Sequence, residues 1–155
     1  MEPEALKKTI DAFLSLIDKG AESVHQTERL LRICLDGIAL ASSEMEVPFD
    51  YPDYIGGSSG NEEELRNLIC SRFPNFGFYN IPGFISKEIA NTDISVGDAI
   101  DDLMDITSEL RSITNIWEKE GSEKALPAFL AAYKFHLGDH LRDLQYYLHA
   151  LRKDR

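Results

Sequence analysis

Cysteine is nearly absent from this chain of 155 residues, which has only Cys34 and Cys70. Two thiols at helix-like positions make no disulfide framework, so a reduced, cytoplasmic setting is expected. Positive charge is also scarce. Sixteen basic residues face 27 acidic ones, for a net charge of -11. That balance opposes nonspecific binding to nucleic acid or to an anionic membrane surface, and neither is expected as a partner. Long apolar runs are missing: no segment approaches the roughly 20 apolar residues of a membrane helix. The start, Met-Glu-Pro-Glu, is acidic where a secretory leader is basic. The glycine run at 56–60 has no strand before it and no Gly-Lys-Ser/Thr after it. Glu62, Glu63 and Glu64 behind it would repel a phosphate, so a flexible loop is expected there. No serine, threonine or cysteine stands beside a base in a recognisable nucleophile motif.

What is present reads as helix. A hydrophobic fraction of 43% and this length suit one domain, residues 1–155, with a real core. Leu6, Ile10, Phe13, Leu14 and Ile17 share one face of a helix from about Glu4 to Lys19, ended by Gly20. Val24, Leu31, Cys34, Leu35 and Ile38 form the stripe of a second, from about Glu22 to Ser43. A loop with Pro48, Pro52 and the glycines follows. Asn61 and Glu64 make a capping pair for a short third helix that stops before Pro74. Residues 72–84 form an aromatic loop with Phe73, Phe76, Phe78, Tyr79 and Phe84, either a lid on the core or a groove for a partner. The fourth helix is expected from about Ser95 to Glu120. The fifth starts between Ser122 and Leu126, since Pro127 belongs near a first turn, and reaches Leu151. No strand and no repeat is expected. The fold class is all-α, a single bundle of about five helices.

Chemistry concentrates on the last two helices. His136 and His140 are four apart and project from one side, and Asp143 follows three residues on. The fourth helix carries Asp98, Asp102, Asp105 and Glu109 on one face, with Asp101 beside them. Imidazoles and carboxylates converging from two helices are the donors of a divalent-metal site. Asp102-x-x-Asp105 also has the carboxylate spacing of magnesium-dependent helical pyrophosphohydrolases, with Glu62, Glu63 and Glu64 as a conceivable second set. The competing readings are a hydrogen-bonded His–Asp packing seam and a solvated acidic face. Gly138 between the histidines costs a helix about 1 kcal/mol, and marks a close approach, a bend or a break. Glu22-x-x-His25 matches the Glu-x-x-His element of di-iron bundles once, where two are needed, and reads as surface.

Three stretches together resemble a bacterial family of uncharacterised helical domains, a domain of unknown function. They are Arg72-Phe-Pro-Asn-Phe-Gly-Phe-Tyr79, Asp101-Asp-Leu-Met-Asp-Ile-Thr-Ser-Glu-Leu110 and His136-Leu-Gly-Asp-His140-Leu-Arg-Asp143-Leu144. The resemblance spans about Arg72 to Leu151. It departs at Leu137, where the family usually has tryptophan. It implies an all-helical fold and a bacterial, cytoplasmic setting. Residue by residue it points at Asp102, Asp105, His136, Gly138, His140 and Asp143, and it transfers no activity.

Two functions are carried forward. The first is a non-catalytic accessory domain that meets a protein partner or a second copy of itself, because no complete catalytic motif is present. The alternative is a divalent-metal site of His136, His140, Asp143, Asp102 and Asp105. That site would hydrolyse phosphoesters or nucleotides with water activated by the ion.

Overall fold

The structure is a computed structural model, and residues 2–45, 60–82 and 94–153 are described. The chain folds as an all-α bundle. Its helices are α1 (Pro3–Lys19), α2 (Val24–Glu44), α3 (Glu62–Arg72), α4 (Ala99–Glu120), α5 (Ser122–Ala132) and α6 (Gly138–Lys153). A π turn, Tyr133–Leu137, joins α5 to α6, so the two run on as one interrupted fifth helix. Most of the loop expected between the second and third helices, residues 46–59, lies outside the described residues, as does Phe84.

Helix ends follow the local chemistry. Proline opens α1 at a position that needs no N–H. Gly20 closes it at φ 70° with its N–H on the Leu16 carbonyl. Ser23 caps α2 by accepting from the Gln26 N–H, and Asn61 caps α3 by accepting from the Glu64 N–H. Gly121, at φ 80°, both closes α4 and precedes α5. The left-handed backbone there allows the reversal without a connecting loop.

α4 is the central element. It packs against α1, α3, α5 and α6, while α2 packs against both α1 and α6. Leu103, Ile106 and Leu110 of α4 are fully buried in one core with Phe13, Leu35, Phe73, Phe129 and Leu144. Each such side chain contributes about 1.5–3 kcal/mol by leaving water. Among the described residues no helix is long and apolar enough to cross a membrane.

Three expectations are corrected. The chain does contain strands. β1 (Phe78–Pro82) and β2 (Ile94–Asp98) form an antiparallel pair in the register Phe78↔Asp98, Asn80↔Val96 and Pro82↔Ile94. Each is five residues long, and residues 83–93 separate them, so no tight-turn signal links them in the sequence. The fourth helix therefore starts at Ala99, with Asp98 as its cap accepting from the Ile100 N–H at 2.9 Å. Pro127 sits inside α5, not in its first turn.

Candidate metal centre

α4 and α6 run antiparallel, so positions that rise along one fall along the other. Glu109 faces His136, Asp102 faces His140, and Asp105 stands between the two pairs. His136 Nδ1 is 3.1 Å from Glu109 Oε1. His140 Nδ1 is 2.8 Å from Asp102 Oδ1. Both carboxylates are buried, with side-chain exposures of 4% and 7%. An ionised carboxylate only accepts, so each imidazole donates through Nδ1. Both rings thereby turn Nε2 toward the same point. The two Nε2 atoms are 3.3 Å apart, and Asp105 Oδ2 lies 3.4 Å from His140 Nε2. Donor atoms of Asp105, His136 and His140 all fall within 4.8 Å of one another.

Two nitrogen lone pairs do not rest against each other, so something positive belongs between them. A proton is one solution. The Asp102 hydrogen bond raises the His140 pKa above the ordinary histidine value, against desolvation, and the charges of Asp105 and Asp102 add to it. A divalent ion is the other solution, since it satisfies both lone pairs and the Asp105 charge together. Burial is also the main reason the Asp105 carboxyl is shifted upward, although both histidines pull it down.

Asp102 is held from both ends. Its second oxygen accepts from the Tyr79 hydroxyl. Burial first, then this bond, pushes the Tyr79 phenol far up, so it stays a donor. The ring reaches Asp102 across β2 because Gly97 stands opposite it. A Cβ at 97 would lie 2.8 Å from Tyr79 Cζ and 2.5 Å from Ile81 Cδ1. Tyr147 backs the Tyr79 ring with centroids 5.0 Å apart. The aromatic segment is in part a lid: Phe73 is buried, and Phe76 packs edge-on to Tyr147 at 5.4 Å. Phe78 instead points outward, 75% exposed.

Gly138, between the histidines, ends the π turn. Its N–H bonds the Tyr133 carbonyl five residues back, which makes the turn π and not α. A Cβ at 138 would lie 2.3 Å from that carbonyl oxygen. No side chain fits, so glycine here is a requirement of the turn. The sequence flagged Gly138 as an oddity but not the extra residue that explains it. The helix bends its ladder without breaking, and Asp139 does not cap a new one.

The remaining expected ligands divide. Asp105, His136 and His140 come together. Asp102 orients His140 and stands behind the cluster. Asp143 lies one turn further along α6, in a cleft with Tyr79, Asn80, Ile81 and Tyr146. Asp98 is engaged as the α4 cap and by Arg66 Nη2 at 3.1 Å, and Asp101 pairs with the same guanidinium. Glu62, Glu63 and Glu64 are exposed at the start of α3. The acidic face of α4 is thus not simply solvated: Asp102 and Glu109 are buried behind the imidazoles. Sequence reasoning placed Glu109 on the right face without giving it this role. It placed Tyr79 in the aromatic segment but gave no sign of its bond to Asp102, which is far away along the chain.

Fold and site together define a class: a helical bundle with a two-histidine, one-carboxylate cluster on the partly exposed seam between α4 and the π turn with α6. No family model, no curated protein and no solved structure matches the chain.

Proposed function

We propose that this protein binds one divalent transition-metal ion through His136 Nε2, His140 Nε2 and Asp105, and uses it to hydrolyse a phosphoester. One observation carries the reading, the 3.3 Å between the two Nε2 atoms. Two nitrogens bound to a tetrahedral zinc at about 2.05 Å are themselves about 3.3 Å apart. The buried carboxylates on both Nδ1 atoms support it further, because they fix tautomer and ring orientation as outer partners of metal-bound histidines do. Three protein donors with a remaining position for water is the ligand count of catalytic zinc sites. Mixed imidazole and carboxylate donors also suit manganese, iron or nickel. When bound, the ion supplies an activated water and a positive charge against the phosphoryl oxygens. In a chain of net charge -11, that is where an anionic substrate finds its counter-charge. Elemental analysis of untagged protein, purified without chelators, is expected to give close to one equivalent of metal. His136→Ala and His140→Ala each lose it, and Asp143→Asn keeps it. No metal after incubation with excess zinc and manganese, followed by desalting, refutes the reading.

A second reading, a self-associating accessory protein, draws on the hairpin. Phe78, Ile94 and Val96 lie on one face of it, each at least 70% exposed. Among the described residues the two-stranded sheet also has no further strand at either edge, and a second copy of the chain would cover such an edge. Sedimentation at rising concentration is expected to show a dimer that Val96→Lys disperses. A monomer at all concentrations rules it out.

A further inference from the structure

The α4/α6 seam does not stop at the histidines. Three residues beyond His140, a rise of about 4.5 Å along α6, Asp143 keeps to the same side of the helix. There the seam opens into a cleft of about 310 Å³ lined by Tyr79, Asn80, Ile81, Asp143 and Tyr146. Tyr79 links this cleft to the cluster, because its hydroxyl bonds the carboxylate that holds His140.

The polar groups of the cleft make a pattern. Ala99 N–H bonds the Gly77 carbonyl at 3.2 Å, which makes that pair a hydrogen-bonded one. Antiparallel ladders alternate. In this register, Tyr79–Gly97 and Ile81–Ser95 are then the bonded pairs, and Asn80–Val96 is not. The backbone N–H and C=O of Asn80 therefore point away from β2, at the outer edge of β1, with no partner among the described residues. Beside this donor and acceptor stands the Asp143 carboxyl, an acceptor when ionised. Burial chiefly raises its pKa, with Asp102 and Asp139 adding to the shift. Tyr146, 63% exposed, lines the same cleft. An apolar wall, one exposed aromatic ring and a donor–acceptor edge suit a flat heterocycle with N–H groups. They do not suit an anion, which Asp143 would repel.

Resting on the metal reading above, we propose that this cleft holds the base of a nucleotide whose phosphate meets the ion at Asp105, His136 and His140. The base stacks on Tyr146, reads the Asn80 backbone edge, and gives an amino proton to Asp143. The substrate class is then purine or cytosine nucleotides, with sugar phosphates lacking a base as poor ligands.

Calorimetry on the full chain loaded with zinc tests this with adenosine monophosphate, adenosine and ribose 5-phosphate. Adenosine monophosphate is expected to bind more tightly than ribose 5-phosphate, and Tyr146→Ala to weaken it by roughly five- to a hundredfold, the range of one lost base–aromatic stack. Asn80→Pro removes the outward N–H from an edge strand without costing a ladder bond. It is expected to weaken adenosine as well and to leave metal content unchanged. Equal affinity for adenosine monophosphate and ribose 5-phosphate in zinc-loaded protein overturns the cleft assignment and leaves the metal centre standing. If zinc does not load, the metal reading fails instead, and adenosine on the metal-free protein decides the cleft. Binding that Tyr146→Ala abolishes supports the cleft; no binding removes it.

Discussion

Two places in this molecule carry histidine and carboxylate at helical spacing, and they have become different things. At the start of α2, His25 is exposed, and Glu22 is exposed ahead of the Ser23 cap, outside the helix. His25 edges a shallow cleft with Glu28, Arg32, Leu148, Leu151 and Arg152. The carboxylate buried there, Glu28, lies 3.4 Å from the Asn75 amide nitrogen, and two guanidiniums line the same cleft. In the π turn and the start of α6, His136 and His140 have buried carboxylates behind them and a third carboxylate beside them. The difference is the neighbouring helix. Spacing along one helix puts two side chains on one side, and any surface does that. A site arises only when the facing helix presents groups that fix each ring and aim its second nitrogen.

The strongest way to break the comparison is Gly138→Ala. In an ordinary helix this change stabilises by about 1 kcal/mol. Here the added Cβ meets the Tyr133 carbonyl, so a loss of about 1–3 kcal/mol is expected, as for an overpacked interior. Thermal melts and metal titration check it: the variant is expected to lose metal as well as stability. A more stable variant that still loads metal means the π turn does not set the site.

A smaller effect sharpens the comparison through pH. The folded His140 pKa lies above its unfolded value of about 6.5 because of Asp102. Its protonation therefore stabilises the metal-free fold fully below that pH, and the contribution fades as pH rises through the folded value. Asp105 and Asp143, also shifted up by burial, lose stability in the same direction, from the carboxylate range upward. Metal binding has the opposite slope, because the rings must first give up their protons. The metal-free protein is thus expected to melt higher at about pH 6 than at about pH 8, and the metal-loaded protein the reverse. Asp102→Asn removes the largest cause of the His140 shift and is expected to flatten the metal-free slope. Parallel slopes for both forms contradict the shared position of proton and ion.

The least effect is expected at the other histidine. His25→Ala should change stability by less than about 0.5 kcal/mol, as a surface substitution does, with metal content unchanged. A drop in metal content would mean the wrong pair of imidazoles has been assigned.

Much of this was legible in the chain, for identifiable reasons. The leucine periodicity of the last helix and the four-residue histidine spacing are local patterns, and they survive folding. Asp105 was found because it lies on the same α4 face as Asp102 and Glu109. Asp143 shared the helix side of His140, but a helical projection hides distance along the axis. At its level α4 ends in Asp98, already occupied by its own cap bond and Arg66. The hairpin was not legible, because strand pairing is a contact between distant residues and each strand is only five residues long. Tyr79 was missed for the same reason: its role exists only once Gly97 has made room for its ring.

The π turn also bears on ancestry. It is one residue longer than the α turn it replaces, and the helices on either side of it are locked in place by their own neighbours. Removing a residue between Tyr133 and His136 would swing everything after it about 100° against α5, turning both imidazoles away from Glu109 and Asp102. In genetic terms, a single in-frame codon separates a helix whose two histidines face the α4 carboxylates from one whose histidines face elsewhere. A chain with this bundle but without the extra codon should keep the core and lose the proposed site.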